Sequence, residues 1–535
     1  MVNGSECHGK QTQGVTFTQR AGLAGLLFFR FLFLLLHCSS QNLQRFVSLS
    51  RLNSIMAPGV SEEKLLAMQA RLQARPELRL AQAVAITQDP LEAVAAGRAA
   101  RCGTHVFTHC VSTEGKPVCN QKKSGRCWIF ACLNTMRLPL MKKFNVEELE
   151  LSQTYIFFWD KVERANFLLR TFAELAEKGE EVGGRLIQFL LTNPAEDGGQ
   201  WQMLVNIVEK YGVVPKKAFP ETHASEASRR MNETLSHKMR ECCARLHRLV
   251  SKGCSKEELE KTIDSMLEEV YQVLSICLGC PPDTFVWEYR DKDKVSHRIG
   301  PISPRDFYTE HVQPVYNITD KVCLVNDPRP YNSYGELYTV AYLSNMVGGR
   351  LTLYNNQDIK ILRQAAADSI QAGEAVWFGC DSGKQCNGKA GVSDLQLFDY
   401  EMVFGVKGTA LNKADRMIYG DSMMDHAMVI TAYSEKDEGT SFEKWRVENS
   451  WGDERGHKGE STTVSVCIIF LISFLKYVHN VVCFSTGYLQ MSDDWFGEYV
   501  FEVVVDKRFL SENILSVFDK KPHVLPAWDP MGALA

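Results

Sequence analysis

The first part of the chain carries the hydrophobic periodicity of helices. Residues 61–75 predict an amphipathic helix that Ser61 can cap, with acidic residues in the first turn, where the helix dipole favours them. Residues 128–144 are largely apolar and end in basic residues, a pattern typical of a buried helix, and the helical pattern continues over 147–177. Residues 225–280 are charged and periodic, which predicts a helical module of their own.

From Gly300 onward the pattern changes to short β-branched and aromatic runs between Gly and Pro turns. The clearest of these runs are KVCLVND, AVWFGC, HAMVITAYS, KWRVENSW and GEYVFEVVVD. Helices early in the chain and strands late in it indicate an α+β architecture.

An apolar stretch near the N-terminus departs from this pattern. Residues 21–36 are almost entirely apolar, but they are fewer than the roughly 20 residues that a membrane-spanning helix needs. The lack of Asp and Glu between Glu6 and Glu62 favours an organelle transit peptide, while a basic front before an apolar middle is also typical of a secretory signal. A further interpretation is that translation begins at Met56 and that residues 1–55 are an extra segment outside the fold.

The composition narrows the class of protein. With 45% hydrophobic and 23% charged residues among 535, the chain has a globular composition, which excludes disordered, collagen-like and coiled-coil proteins. The net charge of −4 gives no support for nucleic acid or a membrane as a partner. The 17 cysteines are odd in number and scattered, so free thiols in a reducing compartment are expected rather than a disulfide framework.

Cys127 is the candidate nucleophile. It lies where the apolar helix is predicted to begin, and the positive end of a helix dipole favours the thiolate, the nucleophilic form of cysteine. Gln121 can offer its side-chain amide beside the backbone N–H of Cys127, which gives two donors for an oxyanion. Taken alone, a cysteine is more often an inert core residue.

Thiolate catalysis also needs an imidazole and a group that orients it. His426 opens an apolar run typical of a strand, and Asn449 ends the next such run. A hairpin would bring the two side chains within reach, with Trp451 screening their contact from water. Each has an ordinary structural interpretation by itself, but with Cys127 they supply a nucleophile, a base and an orienting residue.

A metal site is not predicted. Cys277 and Cys280 have the spacing of zinc ligands, but no second Cys/His pair lies near them in the sequence. Free thiols are therefore the preferred interpretation, and no cofactor is expected.

These motifs belong to longer stretches that resemble the papain-like cysteine proteases, and within them the cytosolic aminopeptidase branch. The stretches are NQKKSGRCWIFACLN, YIFFWDKVER, NPAEDGGQWQMLVNIVEKYGVVPKKAFPE, WEYRDKDK, VNDPRP, YLSNMVGGR, GEAVWFGCD, KWRVENSWG and LPAWDPMGALA. They occur in order and cover residues 56–535 apart from the segment around 460–487, so the resemblance is specific.

The resemblance implies a papain-like α+β fold with a helical lobe and a β-barrel-like lobe, to which a helical insertion module and a C-terminal arm in the active site are added. It implies that Cys127 is the nucleophile, His426 the base and acid, Asn449 the orienting residue and Gln121 the oxyanion donor.

The resemblance also implies how the substrate binds. Gly198 and Gly199 match a glycine pair that lets the enzyme hold a substrate backbone close, a role that suits a missing Cβ. The terminal carboxylate of Ala535 would receive the substrate's ammonium group, which restricts the enzyme to peptides with a free N-terminus.

The implied partners and location follow from the same branch. Such enzymes are cytoplasmic homohexamers with active sites facing a central chamber, and their substrates include small peptides, bleomycin and homocysteine thiolactone. Targeting to an organelle or a membrane is the alternative if residues 1–55 are retained.

The sequence therefore predicts six segments. They are the extra segment 1–55, an N-terminal helical arm 56–100, a helical catalytic lobe 101–223 with Cys127, a helical insertion module 224–299, a β-rich catalytic lobe 300–522 with His426 and Asn449, and a C-terminal arm 523–535.

One segment departs from the family pattern. The family runs GHKGYL without a break, whereas here residues 460–487 separate Gly459 from Tyr488. Residues 461–475 within this segment carry no charge, which suits a buried strand or an aggregation-prone segment better than an exposed loop. Our hypothesis is that this insertion and residues 1–55 come from a gene model or splice variant. The alternative function is an inactive or scaffold-like subunit that the insertion disrupts.

Overall fold

The structure is a computed structural model that describes residues 59–99, 105–388, 390–408, 410–436, 441–452 and 487–534. The segment 1–55, the insertion 460–487 except for Gly487, and Ala535 lie outside the described residues. The chain divides into two units, residues 1–80 and 81–535, and each is described by itself.

The helices of the described residues, in chain order, are α1 (Glu62–Gln73), α2 (Pro76–Ala85), α3 (Pro90–Ala99), α4 (Cys127–Lys143), α5 (Gln153–Glu177), α6 (Arg185–Thr192), α7 (Trp201–Tyr211), α8 (His223–Glu226), α9 (Arg229–Ser251), α10 (Lys256–Leu278), α11 (Pro304–Phe307), α12 (Ile359–Gln371), α13 (Tyr400–Phe404), α14 (Lys413–Ile418), α15 (Asp493–Tyr499) and α16 (Glu512–Leu515). None of them combines the length and the apolar character that crossing a membrane requires.

The strands are β1 (His109–Cys110), β2 (Phe285–Arg290), β3 (Ser296–Ile302), β4 (Lys321–Val325), β5 (Glu336–Val340), β6 (Tyr354–Asn356), β7 (Val376–Cys380), β8 (Cys386–Asn387), β9 (Val392–Ser393), β10 (His426–Lys436), β11 (Ser441–Glu448), β12 (Tyr488–Ser492), β13 (Val500–Asp506) and β14 (His523–Leu525).

In the first unit, the predicted cap of α1 is confirmed. The side chain of Ser61 accepts a hydrogen bond of 3.3 Å from the backbone N–H of Lys64, which satisfies one of the donors at the start of the helix.

In the second unit, α5 begins later than the pattern over 147–177 predicts. The hydroxyl of Ser152 accepts a hydrogen bond of 3.1 Å from the backbone N–H of Tyr155 and so caps the helix at Gln153. Leu151 is extended and forms an isolated β-bridge, which keeps the preceding residues out of the helix. The apolar periodicity could not separate these extended residues from the helix that follows.

The predicted helical module consists of α9 and α10, which pack against each other and against α5. Their buried side chains recur at helical spacing, as an amphipathic pattern requires. These side chains are Met231, Leu235, Met239, Cys242, Cys243 and Leu246 on α9, and Leu259, Ile263, Met266, Val270, Leu274 and Leu278 on α10.

The late strands form one large, mostly antiparallel sheet in the order β14-β5-β6-β4-β13-β7-β10-β11-β12-β9-β8, and β1 pairs with β10. Strand β10 lies between β7 and β11 and is buried along most of its length because α4 packs against it. The run GEYVFEVVVD does not lie wholly on a strand, since its first three residues complete α15 and β13 begins only at Val500.

A buried ion pair joins α4 to the sheet. The guanidinium of Arg137 on α4 donates a hydrogen bond of 2.6 Å to the carboxylate of Glu448 at the end of β11, and both side chains are buried. Arg137 also donates to the backbone oxygen of Pro117. The helix that begins at Cys127 is thereby fixed to the strand that leads into Asn449.

Candidate active site

Cys127 is the first residue of α4 and is buried, with 2% of its surface exposed. The side chain of the preceding Arg126 does not cap the helix. The helix begins here as predicted, because the sequence changes at this point from a polar loop to the apolar run that fills the core beneath the sheet. The thiol is therefore held at the positive end of a helix dipole.

His426 and Asn449 come together as the predicted hairpin requires. Strands β10 and β11 are antiparallel neighbours, and the ring Nε2 of His426 lies 3.0 Å from the side-chain oxygen of Asn449. An amide oxygen only accepts, so Nε2 carries the proton and Nδ1 remains for the second partner of the ring. Cys127 lines the same cavity and acts on the pKa of His426 through its charge and hydrogen bonding, so we assign its thiol as that second partner.

The electrostatics of His426 favour its charged form. Burial by itself would lower the pKa of His426, but the charge of Cys127 and the hydrogen bonds to Cys127 and Asn449 outweigh burial, so the pKa is raised above its usual value. This environment favours the imidazolium form of His426.

Two residues next to Asn449 close this side of the site. The ring of Trp451 stacks on that of His426 with centroids 5.1 Å apart, which places Trp451 where the sequence predicted a screen. The backbone N–H of Ser450 donates to the side-chain oxygen of Asn449 at 2.7 Å and so fixes the amide that faces the histidine.

Gln121 lies in the same cavity as Cys127, but its amide is already engaged. Its Nε2 donates a hydrogen bond of 2.8 Å to the backbone oxygen of Ser124, and its Oε1 accepts one of 2.6 Å from the hydroxyl of Ser450. An amide nitrogen carries two hydrogens, so a second donor remains for an oxyanion.

A cavity of about 790 Å³ connects these groups. Its lining includes Cys127, His426 and Gln121, together with Gly198 and Leu534. Leu534 lies near the C-terminus, so the chain end reaches this cavity within the described residues.

The two predicted glycines take different positions. Gly198 lines the cavity, whereas Gly199 lies behind it, where a Cβ would approach the ring of Trp128 to 2.6 Å. Gly199 is therefore needed for packing against Trp128. The third predicted substrate-binding residue, Ala535, lies outside the described residues.

Sequence reasoning missed Asp197, which organises the floor of the cavity. Burial would raise the pKa of Asp197, but the ammonium group of Lys161 and the hydrogen bonds from Ser228 and Asn232 lower it to about 2. Asp197 also accepts a hydrogen bond of 3.2 Å from the backbone N–H of Gly125. Its position directly before the glycine pair was the available signal.

Sequence reasoning also missed that the helical module lines the cavity. Asn232, Glu233, Ser236 and His237, all on α9, face it together with Cys127. Their spacing places them on one side of the helix, but only tertiary packing determines what that side faces.

The described residues contain no group of three or more His, Cys, Asp or Glu side chains arranged to hold a metal ion. Cys277 and Cys280 are both free thiols.

Known proteins of similar sequence align with most of this chain. Bleomycin hydrolase of Gallus gallus is 58% identical over 480 residues, covering 90% of this chain and 99% of that protein. Bleomycin hydrolase of Homo sapiens is 55% identical over 478 residues, with 89% and 99% covered. Aminopeptidase C of Lactobacillus delbrueckii subsp. lactis is 38% identical over 431 residues, with 80% and 88% covered.

A solved structure and a family model extend the comparison. The crystal structure of PepW from Lactobacillus rhamnosis matches with a TM-score of 0.80 and 36% identity, covering 90% of this chain and 100% of that chain. The model of the Peptidase C1-like family matches residues 59–482 and 484–532. This chain belongs to the Peptidase C1-like family.

Proposed function

We propose that this chain is a cysteine aminopeptidase in which Cys127 is the nucleophile, His426 the acid and base, and Asn449 the orienting residue. The observation that carries the proposal is the sequence of interactions from the thiol at the start of α4 through His426 to Asn449, with Cys127 and His426 lining one cavity. The named relatives, bleomycin hydrolases and aminopeptidase C, support the reaction class.

Acylation begins when the Cys127 thiolate attacks the carbonyl carbon of the substrate's first peptide bond. The backbone N–H of Cys127 and the free amide hydrogen of Gln121 stabilise the negative oxygen that forms. The His426 imidazolium then gives its Nδ1 proton to the leaving amine as the C–N bond breaks, which leaves a thioester on Cys127.

Deacylation regenerates the starting ion pair. Neutral His426 accepts a proton from water, the resulting hydroxide attacks the thioester carbon, and the C–S bond breaks. The aminoacyl group leaves as the free acid, and Cys127 and His426 return as thiolate and imidazolium. Asn449 keeps the ring in one orientation during both steps.

The C-terminal arm supplies the preference for a free N-terminus. Leu534 of this arm lines the cavity beside the reacting groups, and we assign the binding of the substrate's ammonium group to the carboxylate of Ala535. A carboxylate at this end of the cleft binds an ammonium group and repels a longer chain.

The proposed substrates are small peptides with a free N-terminus and homocysteine thiolactone. The carboxamide of bleomycin is a further proposed substrate, because two of the relatives are named bleomycin hydrolase. A cytoplasmic homohexamer is the assembly and location that we propose with this activity.

Labelling with an epoxide inhibitor of thiol proteases tests the proposal. Purified wild type and the Cys127→Ala variant are labelled and assayed with an aminoacyl-coumarin amide and with its N-acetylated form. We expect wild type to be labelled and to cleave only the free-amine substrate, and the variant to do neither. An unlabelled wild type would instead support the inactive or scaffold-like alternative.

A further inference from the structure

Two hydrogen bonds between Gln121 and Ser124 stabilise the loop that leads to Cys127. The hydroxyl of Ser124 donates a hydrogen bond of 2.7 Å to the backbone oxygen of Gln121, while the Gln121 amide donates to the backbone oxygen of Ser124 at 2.8 Å. These reciprocal bonds fix the Gln121 side chain to its own loop, so any shift of Ser124 shifts the amide.

Arg126 holds Ser124 from the other side. Its Nε donates a hydrogen bond of 2.9 Å to the hydroxyl of Ser124. Its guanidinium is fully buried beside the rings of Phe130 and Phe157, at 5.2 and 5.4 Å from their centroids. A buried guanidinium needs a partner, because leaving water is costly for a charge.

Glu221 is that partner and comes from the segment that leads into α8. Its carboxylate lies 2.9 Å from Nη1 of Arg126. Burial would raise the pKa of Glu221, but the charge of Arg126 lowers it below its usual value, while burial lowers the pKa of Arg126 itself. The backbone oxygen of Glu226, in α8 itself, accepts a further bond of 2.8 Å from the N–H of Lys123.

We propose that the Arg126–Glu221 ion pair positions the oxyanion donor Gln121 through the hydroxyl of Ser124. This inference rests on the proposed function, since it takes Gln121 as the donor. Arg126, Glu221 and Ser124 are positioning residues because they act through Gln121, although Ser124 also lines the cavity. They connect the start of the helical module to the catalytic loop.

Two reactions of the same thiol separate this role from a structural one. Cleavage of an aminoacyl-coumarin amide passes through an oxyanion, whereas alkylation of Cys127 by iodoacetamide displaces iodide and forms none. Ser124→Ala and Glu221→Gln are expected to lower kcat by about tenfold, because a small displacement of a preorganised donor is costly. KM and the alkylation rate are expected to stay within about twofold of wild type.

A double variant tests the path through Gln121. Gln121→Ala removes the donor and is expected to lower kcat by about a hundredfold or more. If Ser124 acts only through Gln121, adding Ser124→Ala to that variant causes no further loss. The control is Glu260→Gln, which neutralises the exposed ion pair with Arg170 and is expected to change neither reaction.

Three results would overturn the inference. An unchanged kcat in both Ser124→Ala and Glu221→Gln would show that the loop holds Gln121 without them, and a parallel loss of alkylation would show that they position the thiol. Full activity of Gln121→Ala would remove the donor role itself, and with it this part of the proposed function. The first two results would overturn the positioning role alone and leave the donor role of Gln121 in place.

Discussion

His426 is held by two partners of different character. Cys127 offers it a charge that changes during the reaction, while the amide oxygen of Asn449 stays neutral and fixes one ring nitrogen. The bond to Asn449 therefore has two effects, since it selects the tautomer and also raises the pKa of the ring.

Replacing Asn449 by alanine is expected to move the pH dependence of activity. In the proposed mechanism the active pair requires a protonated His426, so activity is lost as pH rises through the pKa of the ring. Because the bond to Asn449 raises this pKa, its removal should shift the alkaline limb of the kcat/KM profile to lower pH. At neutral pH we expect a loss of between about tenfold and a hundredfold in kcat/KM.

The measurement is the pH profile of aminoacyl-coumarin cleavage for both proteins. Asn412→Ala, which removes the cap of α14, is the control and should leave the profile in place. An alkaline limb that does not move in Asn449→Ala would contradict the assigned effect of the amide.

At the scale of secondary-structure elements, a buried ion pair connects the helix and the strand that position the site. The Arg137–Glu448 pair joins α4 to β11, so the helix that begins at Cys127 and the strand that leads into Asn449 share one buried contact. A buried ion pair of this kind contributes geometry more than net stability, but removing one partner leaves the other charged and unpaired.

Glu448→Ala should therefore destabilise the protein by about 3–5 kcal/mol, because Arg137 would remain buried without its partner. The free energy of unfolding from denaturant titration measures the loss. Glu260→Ala breaks the exposed pair with Arg170 and should cost about 1 kcal/mol or less. Equal losses in the two variants would contradict the role of burial.

The C-terminal arm has its own anchor. The guanidinium of Arg329 binds both carboxylate oxygens of Asp529, at 2.8 and 3.0 Å, and is held in place by Asp327 on its other side. Further along the arm, the side chain of Gln200 donates to the backbone oxygen of Ala533. The arm is therefore fixed at two points before it reaches the cavity.

Asp529→Asn should loosen the first of these points without altering the fold of the arm, since asparagine can still cap the turn at Met531. If the arm is then correctly placed in only a fraction of molecules, KM for aminoacyl-coumarin rises by the inverse of that fraction, roughly threefold or more. Cleavage of the N-acetylated substrate should appear at the same time. Glu260→Gln, which neutralises the exposed pair with Arg170, serves as control, and unchanged specificity in Asp529→Asn would contradict the anchoring role.

At the scale of the whole molecule, the residues on either side of the insertion are neighbours in the sheet. Strands β11 and β12 are antiparallel neighbours with Glu448 opposite Tyr488, and the N–H of Asn449 donates to the backbone oxygen of Gly487 at 3.2 Å. The chain therefore returns after residue 449 to the place that it left, and antiparallel neighbours need only a short connection.

Deleting residues 460–487 should therefore give a folded and more active enzyme. The deletion joins Gly459 to Tyr488, so a glycine again occupies the position of Gly487, whose φ is +91°. We expect a higher soluble yield and higher specific activity than for the full chain. Equal specific activity with and without the segment would contradict this.

A matched variant sharpens that test. In the shortened chain, Gly459→Ala would place a Cβ where the one at Gly487 would lie 2.4 Å from Val118, at a φ that alanine rarely adopts. This variant should be less stable than the deletion alone, as thermal unfolding would measure. Equal stability would show that the rejoined chain does not follow the path of the present one.

The sequence was informative wherever local pattern determines the structure. The start of α4 at Cys127 and the hairpin that carries His426 and Asn449 follow from a change in hydrophobicity and from two apolar runs in succession. The predicted start of α5 at residue 147 was wrong, because the cap at Ser152 and the isolated bridge at Leu151 override the helical pattern. The hydrogen bond from Ser450 to Gln121 and the side of α9 that lines the cavity both depend on long-range packing. A single sequence does not reveal such packing.

The site combines α4 with strands that lie far along the chain, so its residues are synthesised at different times. Roughly 300 residues separate Cys127 from His426. At about 5–20 residues per second, a ribosome needs some 15 to 60 s to add them. During that interval the emerging chain carries the thiol without its proposed base, so we expect no peptide cleavage by the nascent chain until His426 has been added.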